Sequence, residues 1–295
     1  MQKVEFTKMN GSGNDFIIID HRSHFLKAVS LPDFVRTICR RRESVGADGL
    51  ILVEDSERAD FKWRFFNADG SEAEMCGNGG RCVARYAYLK GIAGAKLAFE
   101  TIAGIIRAEV KNRRVLLQMP LPTELRLNQS ISVDGKNIYL NSINTGVPHA
   151  VVKVEDIEKA PVKDLGRKIR FHSAFQPKGT NVNFIQVLDV NHLIIRTYER
   201  GVEDETLACG TGAVGSALVA AALEEVNSPV EVKTRGGEVL AIHFQKESDK
   251  FSQVFLEGDT CLVFEGILGE DVWRQYEKML KQGDSGYSRI PVDFD

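Results

Sequence analysis

Two matching stretches decide the fold: Cys76-Gly77-Asn78-Gly79 and Cys209-Gly210-Thr211-Gly212, whose sequence numbers differ by 133. The same displacement pairs Gly13 with Gly146, Gly46 with Gly179, Glu72 with Glu205, Thr101 with Thr234, and Gly104 with Gly237. This period is much too long for a solenoid repeat. We therefore expect two copies of one domain, arranged as a pseudo-dimer, which occupy twice 133, or 266, of the 295 residues.

Each copy begins with short apolar runs bounded by turn residues, which are typical of strands. In the first copy these runs are 16–19 and 50–53, a helix is predicted over 32–42, and a second helix begins directly after each Cys-Gly-x-Gly stretch. The pattern indicates an α/β (α+β) fold with two pseudo-symmetric domains from an internal duplication. We expect each domain to be a mostly antiparallel sheet or barrel wrapped around a central helix.

The two predicted central helices differ in polarity. The helix after Cys209 is apolar on all faces, so we expect it to be buried. In the helix after Cys76, Arg81 and Arg85 lie four residues apart on one face, and Gly91 is expected to cap the end. The residues available to cover the core are Cys82, Val83, Tyr86 and Ala87.

The repeat also suggests domain limits. We predict a first domain from 1–122 together with 267–295 and a second from 123–266, with the active site at the cleft between them. The segment 270–281 can form a short amphipathic helix with Glu277 and Lys281 spaced as an i,i+4 pair, and 283–295 is expected to be loose.

Composition excludes several classes of protein. The 38 Lys and Arg residues nearly balance 41 Asp and Glu residues, and 43% of residues are hydrophobic, which argues against disorder and against a general nucleic-acid-binding surface. The longest apolar run, 213–223, is far shorter than the roughly 20 residues that span a bilayer, and the amino terminus does not resemble a signal peptide. We expect a cytoplasmic protein without membrane or nucleic-acid partners.

The five cysteines provide evidence on disulfide bonds, metal sites and thiol chemistry. They form an odd set without a C-x-x-C pair, so neither a disulfide framework nor a zinc site is predicted. Glycine after Cys76 and after Cys209 lets backbone N–H groups turn toward an anion at a helix amino terminus, where a thiol also becomes more acidic. The plainer interpretation of one such cysteine is a small buried residue.

Two such cysteines related by a pseudo-twofold axis point to paired acid and base chemistry. One thiolate could remove a proton α to a carboxylate while the opposite thiol returns a proton to the other face, so that the carbon inverts. The helix amino termini would stabilise the developing charge. This chemistry requires no cofactor and no metal.

The sequence closely resembles the diaminopimelate epimerase family, a pyridoxal-independent group that is related to the proline racemases. The resemblance runs from about Phe6 to Gly266. The motifs that carry it are Gly11-Ser12-Gly13-Asn14-Asp15-Phe16, Phe66-Asn67-Ala68-Asp69-Gly70-Ser71, Met75-Cys76-Gly77-Asn78-Gly79-Gly80-Arg81-Cys82, Gly146-Val147-Pro148-His149, Tyr198-Glu199-Arg200-Gly201 and Ala208-Cys209-Gly210-Thr211-Gly212.

The resemblance implies interconversion of LL- and meso-2,6-diaminopimelate in lysine and peptidoglycan-precursor synthesis, with Cys76 and Cys209 as the paired acid and base. Cys209 would accept the proton from the LL substrate. The remaining implied substrate-binding residues are Gly77, Asn78, Gly210, Thr211 and Asn14 at the reacting end, and Asn67, Asn181, Glu199 and Arg200 at the distal end. His149 and Glu199 would tune the thiols. Because family members are often dimers, a homodimer is also implied.

Two positions depart from the family pattern. Val147 stands where many members carry an Asn that contacts the distal carboxylate, and Gly49 stands where some carry a Gln near the reacting end. Valine cannot donate a hydrogen bond, so selectivity for a two-ended substrate could be weaker.

Several of these residues also have plainer interpretations. His149 could cap or pack, Glu199 and Arg200 could form a surface ion pair, and Asn14 and Asn67 could be turn formers. The remaining cysteines, Cys39, Cys82 and Cys261, are predicted to be core thiols. Two other functions stay open: a racemase or epimerase of another amino acid on the same scaffold, and a non-catalytic thiol module that senses oxidation through a reversible disulfide.

Overall fold

The computed structural model describes residues 3–26, 29–247 and 250–282, and within them the chain forms eighteen strands, five α-helices and two short 3₁₀ helices. The elements of the first part are β1 (Glu5–Gly11), β2 (Asn14–Asp20), α1 (Leu31–Ile38), β3 (Gly49–Glu54), β4 (Phe61–Asn67), β5 (Glu72–Ala73), α2 (Gly77–Leu89), β6 (Lys96–Thr101), β7 (Gly104–Lys111) and β8 (Arg114–Gln118).

The elements of the second part are β9 (Thr123–Val133), β10 (Lys136–Asn144), β11 (Pro148–Lys153), α3 (Val162–Arg170), β12 (Asn181–Asp189), β13 (His192–Glu199), β14 (Asp204–Thr206), α4 (Gly210–Ala222), β15 (Val230–Lys233), β16 (Val239–Glu247) and β17 (Lys250–Asp259). Strand β18 (Cys261–Ile267) and helix α5 (Glu270–Gln282) follow them. The 3₁₀ helices span Ile157–Lys159 and Ser173–Phe175.

The chain divides into two compact units, Met1–Val115 with Asp259–Asp295, and Leu116–Gly258. The limits predicted from the repeat, 122 and 266, lie several residues further along the chain than these limits. The difference falls in segments where one unit ends and the other begins, and there the repeat offers no matched residues to fix a boundary.

Strand pairing in the two units follows one pattern. In the first unit β1 pairs antiparallel with β18 and β2, β2 pairs parallel with β3, β3 pairs antiparallel with β4, and β4 pairs parallel with β6. In the second unit β10 pairs antiparallel with β9 and β11, β11 parallel with β12, β12 antiparallel with β13, and β13 parallel with β15. The internal duplication and the mostly antiparallel sheets are therefore confirmed.

The central helices show the duplication most clearly. Helix α2 spans Gly77–Leu89 and helix α4 spans Gly210–Ala222, so both bounds are displaced by the period that the sequence repeat predicts. Helix α2 contacts β1, β2, β3 and β7, whereas α4 contacts β10, β11, β12, β13, β15 and β16. Each helix is thus wrapped by the sheet of its own unit, as the sequence predicts.

The apolar runs of the first unit are strands buried on both faces, which explains why they do not alternate with polar residues. Ile17 and Ile19 of β2 join Leu50 and Leu52 of β3 in a core cluster that also includes Phe34 of α1. The intervening residues of both strands are equally buried. The predicted strands 16–19 and 50–53 therefore lie inside β2 and β3.

Helix α1 is shorter than predicted. It ends at Ile38 with Cys39 as its C-cap, and Arg42 has a φ of 72°, a left-handed conformation that a right-handed helix cannot include. The predicted end at residue 42 was therefore wrong. The Gly91 prediction holds, because Gly91 follows the C-cap residue Lys90 with a φ of 67° and its N–H donates to the Tyr88 carbonyl.

Two burial predictions are corrected by the structure. Arg81, assigned to a polar face, has no solvent exposure, and its guanidinium donates to Ser12, 69 residues away, and to Asn78. Cys261, predicted as a core thiol, is exposed on β18, where Val263 and Phe264 are exposed as well. Cys39 and Cys82 are buried as predicted.

The predicted carboxy-terminal helix is present as α5. Its Trp273 ring stacks on Phe34 of α1 with ring centroids 5.3 Å apart, and Tyr276 is buried at the same contact. The predicted partner side chain Lys281 and the segment 283–295 lie outside the described residues. None of the helices that the structure describes is long and apolar enough to cross a membrane.

Candidate active site

Cys76 is the N-cap residue of α2. Its backbone is extended (φ −144°, ψ 117°), and its Sγ accepts a hydrogen bond from the Gly79 N–H at 3.4 Å. The N–H groups of the first helical residues, Gly77 and Asn78, have no acceptor within the helix. They lie at the positive end of the helix dipole beside the sulfur, an arrangement that favours a thiolate or a bound carboxylate.

A chain of polar side chains supports this helix terminus. Arg81 donates from Nη2 to Asn78 Oδ1 at 3.0 Å, Asn78 donates from Nδ2 to Asn14 Oδ1 at 2.6 Å, and Asn14 donates from Nδ2 to Asp48 Oδ2 at 3.1 Å. Guanidinium can only donate and carboxylate can only accept, so the direction of both amides is fixed. Each amide retains one N–H hydrogen that is not used in this chain. Because Asn14 bonds to Asn78, the structure brings Asn14 to the helix that begins beside Cys76, as predicted.

The acceptor end of this chain is held by a network of charges. Arg41 donates to both Asp48 and Asp15, and Lys8 forms an ion pair with Asp15 at 2.9 Å. Burial by itself would raise the pKa of Asp15, but hydrogen bonds from Arg41 and Lys8 lower it to about 2. Asp15 is consequently an anion at neutral pH, which keeps it as the acceptor for Arg41 and Lys8.

Asn67 stands apart from this chain. It is exposed at the end of β4, where its Nδ2 donates to Ser71 Oγ at 3.1 Å and its carbonyl accepts the Gly70 N–H. These bonds fit the plainer interpretation of a turn former. Gly49 pairs with Asn67 across β3 and β4, and a Cβ added at Gly49 would lie 2.5 Å from the Phe66 carbonyl oxygen. This local geometry accounts for a glycine at that position.

Cys209 is the N-cap residue of α4 and is 7% exposed. Its Sγ lies 3.6 Å from Thr211 Oγ1, and Thr145 Oγ1 donates to the Thr211 carbonyl at 3.1 Å. As at Cys76, the first helical N–H groups, here those of Gly210 and Thr211, have no acceptor within the helix. Each unit thus contains one thiol at the amino terminus of its central helix.

His149 lies in the interior of the second unit. Burial, assisted by the charge of Arg200, lowers the pKa of His149 to about 3, so the imidazole is neutral near pH 7. Its Nδ1 lies 3.1 Å from Asn183 Nδ2. A Cβ added at Gly212 would lie 2.4 Å from Asn183 Oδ1 and 3.2 Å from Cys209 Sγ. Asn183 therefore connects the histidine to the first turn of α4.

Asn181 and Arg200 meet in the second unit. Asn181 Oδ1 accepts the backbone N–H of Arg200 at 2.9 Å, and Asn181 Nδ2 donates to the Pro148 carbonyl at 3.2 Å. The Arg200 side chain donates to the Lys178 carbonyl at 3.2 Å. Pro148 precedes His149, and His149 pairs with Asn181 across β11 and β12. The structure therefore brings together three predicted residues, His149, Asn181 and Arg200.

Glu199 is held by a hydroxyl group. Its Oε2 accepts from Thr206 Oγ1 at 2.8 Å; burial raises the pKa of Glu199, and this hydrogen bond partly opposes the increase. Within the described chain, the Glu199 carboxylate bonds to Thr206 and the Arg200 side chain bonds to the Lys178 carbonyl, so the two side chains do not pair with each other. The alternative interpretation of a surface ion pair was therefore wrong.

One group of side chains has the composition of a metal site. His21, His24 and Glu54 offer ligand atoms within 4.8 Å of one another. However, His21 Nδ1 is 2.9 Å from Glu54 Oε1, and His21 Nε2 accepts the Leu26 N–H at 3.1 Å. Both ring nitrogens are thus used in bonds that hold the chain after β2, and these bonds explain the cluster.

Comparison with known proteins agrees with this arrangement. The family model of diaminopimelate epimerase matches residues 6–120 and 141–261, which include both thiols. The chain belongs to the diaminopimelate epimerase family. A diaminopimelate epimerase of Aquifex aeolicus (strain VF5) is 53% identical over 280 residues, covering 91% of this chain and 99% of that relative.

Solved structures extend the likeness beyond this family. A phenazine biosynthesis protein of the PhzF family from Bacillus anthracis has a TM-score of 0.68 at 17% identity, covering 91% of this chain and 100% of that one. A probable proline racemase from Agrobacterium radiobacter K84 has a TM-score of 0.65 at 16% identity, covering 91% and 93%. At these identities the likeness concerns the fold, and it agrees with the two duplicated domains of the diaminopimelate epimerase family.

Sequence reasoning missed three supporting residues of the site. Arg81 and Asp48 fix the amides of Asn78 and Asn14, and Asn183 contacts His149. A signal for Asn183 was present, because Asn181 and Asn183 lie two residues apart on one strand and so share a face. Asp48 gave no local signal, because its partner Asn14 lies 34 residues away. Arg81 lies only three residues from Asn78, but its second partner, Ser12, is 69 residues away.

Proposed function

We propose that the chain interconverts LL- and meso-2,6-diaminopimelate, without a cofactor, by means of two cysteine side chains. The observation that carries the proposal is the pair of helix N-caps, Cys76 in one unit and Cys209 in the other, at matching positions of the internal repeat. The family match supports the substrate. The product would serve lysine and peptidoglycan-precursor synthesis.

In the proposed reaction one thiolate removes the α-proton and the other cysteine, as a thiol, delivers a proton to the opposite face. The C–H bond breaks on one face as a new C–H bond forms on the other, so electrons and protons balance without oxidation or reduction. Cys209 accepts the proton from the LL substrate, and Cys76 accepts it from the meso isomer. Two groups of one type allow both directions.

The substrate carboxylate at the reacting carbon is assigned to the first helical N–H groups of α2 and α4. Gly77, Asn78, Gly210 and Thr211 supply these groups, and hydrogen bonds to a carboxylate strengthen as negative charge develops beside it. Asn14 contributes its remaining N–H hydrogen, since its other hydrogen and its oxygen already have partners.

The distal end of the substrate is assigned to Asn67, Asn181, Glu199 and Arg200. Arg200 provides a cation for the second carboxylate and Glu199 an acceptor for the second ammonium. Val147 supplies no donor there, so recognition would depend on the other groups. His149 and Glu199 are assigned to tuning the thiols.

Family membership is also the ground on which we propose a homodimer in the cytoplasm, acting on a small molecule and not on nucleic acid or a membrane. Two other functions remain as alternatives: a racemase or epimerase of another amino acid, and a non-catalytic module whose two thiols form a reversible disulfide. The second alternative leaves the amide chain from Arg81 to Asp48 without a purpose.

The test is incubation of reduced protein with LL-2,6-diaminopimelate in D2O, with α-proton loss followed by NMR and stereoisomers separated by chiral chromatography. Proline, glutamate and histidine are tested in parallel. We expect exchange together with meso product from diaminopimelate only. Exchange with another amino acid alone would move the substrate, and absence of exchange with all of them would refute the proposal.

A further inference from the structure

His149 can act in two different ways, depending on which ring nitrogen carries its proton. Its imidazole is 1% exposed and neutral near pH 7, so one nitrogen donates and the other accepts. A proton on Nε2 would make that atom a donor to an anion, whereas a proton on Nδ1 would make Nε2 a base. The neighbours of Nδ1 decide between these tautomers.

Asn183 is the neighbour of Nδ1, and its own orientation is determined by the backbone. Asn183 Nδ2 lies 3.3 Å from the Ala150 carbonyl oxygen and 3.1 Å from His149 Nδ1. A backbone carbonyl can only accept, so the amide must turn its NH2 group toward Ala150. The amide oxygen then accepts from Thr197 Oγ1 at 3.0 Å, and the whole group is buried.

With its NH2 group in this position, Asn183 donates to His149 Nδ1, and that nitrogen must be the acceptor. The ring proton is therefore on Nε2. Among the residues that the structure describes, His149 Nε2 is buried and forms no hydrogen bond. A buried N–H group without a partner is costly, and an anion facing it would remove that cost.

We infer that Asn183 is a positioning residue that holds His149 as the Nε2–H tautomer, so that His149 serves as a neutral hydrogen-bond donor at Nε2 and not as a base there. The tautomer follows from the contacts of Asn183 alone. The use of His149 as a donor rests on the proposed function, in which the anion is a thiolate or a substrate carboxylate.

The space around Asn183 shows that its position is restricted. Gly212, in the first turn of α4, leaves room for Asn183 Oδ1, since a Cβ there would lie 2.4 Å from that oxygen. Thr197 is 3% exposed, so solvent does not compete with its hydroxyl for the Asn183 amide oxygen. Asn183, which sets the tautomer of His149, therefore lies beside the first turn of the helix that Cys209 caps.

The experiment measures the tautomer directly. Protein labelled with 15N-histidine is examined by long-range 1H–15N correlation, and the His149 signals, among six histidines, are assigned from the spectrum of His149→Gln. We expect the wild-type protein to show the Nε2–H pattern. A Nδ1–H pattern, or a mixture of both, would overturn the inference whatever the variants do.

Two variants sharpen this test. Asn183→Asp places an acceptor-only carboxylate beside Nδ1, so the tautomer should change to Nδ1–H and epimerisation should fall by about 100-fold, the usual effect of losing one donor to a developing anion. Thr197→Val is the matched control, since Ala150 still orients the amide and Nε2–H should persist. Retention of Nε2–H in Asn183→Asp, or its loss in Thr197→Val, would contradict the role of Asn183.

The spectra and the activity separate the two claims. If wild-type protein shows Nε2–H but does not epimerise diaminopimelate, the proposed function fails while the tautomer assignment stands. If it epimerises but lacks Nε2–H, the inference fails and the proposed function stands. Unchanged kcat and KM in an Asn183→Asp variant with the Nδ1–H tautomer would refute the use of Nε2 as a donor.

Discussion

Arg81 donates a hydrogen bond to Asn78 Oδ1 at 3.0 Å from a side chain that has no solvent exposure. A buried guanidinium is costly unless its charge is used locally. Here it also donates to Ser12 Oγ in the turn between β1 and β2. The charge therefore joins the hairpin turn to the helix that begins beside Cys76, and it sets the direction in which the amides of Asn78 and Asn14 point.

This relationship predicts a binding defect in Arg81→Met. Loss of the donor removes one of the two bonds that orient the Asn78 amide, which leaves the amide held by Asn14 Oδ1 alone. The helix terminus that we propose to bind the carboxylate is then positioned less well. Hydrogen bonds to charged groups contribute about 1.5–3 kcal/mol, which corresponds to a rise in KM of at least about tenfold. Steady-state kinetics with diaminopimelate would measure it.

The matched control is Arg85→Met, one turn further along α2. Arg85 donates to the Thr260 carbonyl and has no bond to Asn78 or Asn14. It should leave KM within about twofold of the wild-type value. Equal effects of the two substitutions would mean that Arg81 acts through general stability and not through amide orientation.

Gly212→Ala should disturb the Cys209 helix terminus. The added Cβ would lie 2.4 Å from Asn183 Oδ1 and 3.2 Å from Cys209 Sγ, and neither atom belongs to a flexible exposed side chain. A displacement near 1 Å at a catalytic group can cost about 100-fold in rate. We expect kcat to fall by that order, whereas Gly94→Ala, which has only the Lys96 carbonyl oxygen at 3.8 Å, should retain normal kcat. Normal kcat in Gly212→Ala would show that Asn183 can move freely.

His149 predicts a specific pH dependence of stability. Its folded-state pKa of about 3 is below the ordinary value of 6.5, so between these limits the unfolded state binds the extra proton. Stability should therefore fall as pH decreases from about 6.5, by about 1.4 kcal/mol per pH unit from this group. Urea unfolding of wild type and His149→Gln between pH 7 and 4.5 should show a shallower dependence in the variant.

His192→Gln is the control with the opposite sign. The hydrogen bond to Asp189 raises the pKa of His192, so this exposed group stabilises the fold slightly below its unfolded pKa and loses that effect as pH rises. Its removal should make the acid dependence slightly steeper. An unchanged slope in His149→Gln would mean that the imidazole is already protonated, or solvated, in the folded protein.

Thr206→Val should shift the acid limb of the pH–rate profile. Burial raises the pKa of Glu199, and the Thr206 hydroxyl lowers it by donating to the carboxylate. Without this donor the pKa rises further, so the acid limb of kcat/KM should move to higher pH. The Thr234 hydroxyl bonds to the Glu238 carbonyl, so Thr234→Val should leave the acid limb in place. Identical limbs in Thr206→Val and wild type would exclude Glu199 ionisation from this limb.

Local sequence signals predicted the frame of the molecule correctly. Each Cys-Gly-x-Gly stretch starts a helix with the cysteine as its N-cap residue, and glycine frees the chain to turn there. The long internal repeat then predicted both units from one pattern. These features depend on a few neighbouring residues, which is why they are readable from the sequence.

Burial of polar residues could not be predicted in the same way. Arg81 follows a pattern that is ordinary on an exposed helix face, and only Ser12 and Asn78 together explain its burial. Conversely, Cys261 starts an apolar stretch that resembles a core strand, yet it is exposed on β18. For Arg81 the neighbour that local periodicity cannot predict is Ser12, 69 residues away.

The central claim, one cysteine for each face, is tested most directly by α-proton exchange in Cys76→Ala and Cys209→Ala. In D2O, Cys76→Ala should remove the α-proton of LL-diaminopimelate through Cys209 and replace it with deuterium on the same face. The configuration is then retained and no meso isomer forms. Cys209→Ala should instead exchange only the invertible centre of the meso isomer. Crossed exchange without inversion is the predicted result, and near-normal epimerisation by either variant would contradict the account.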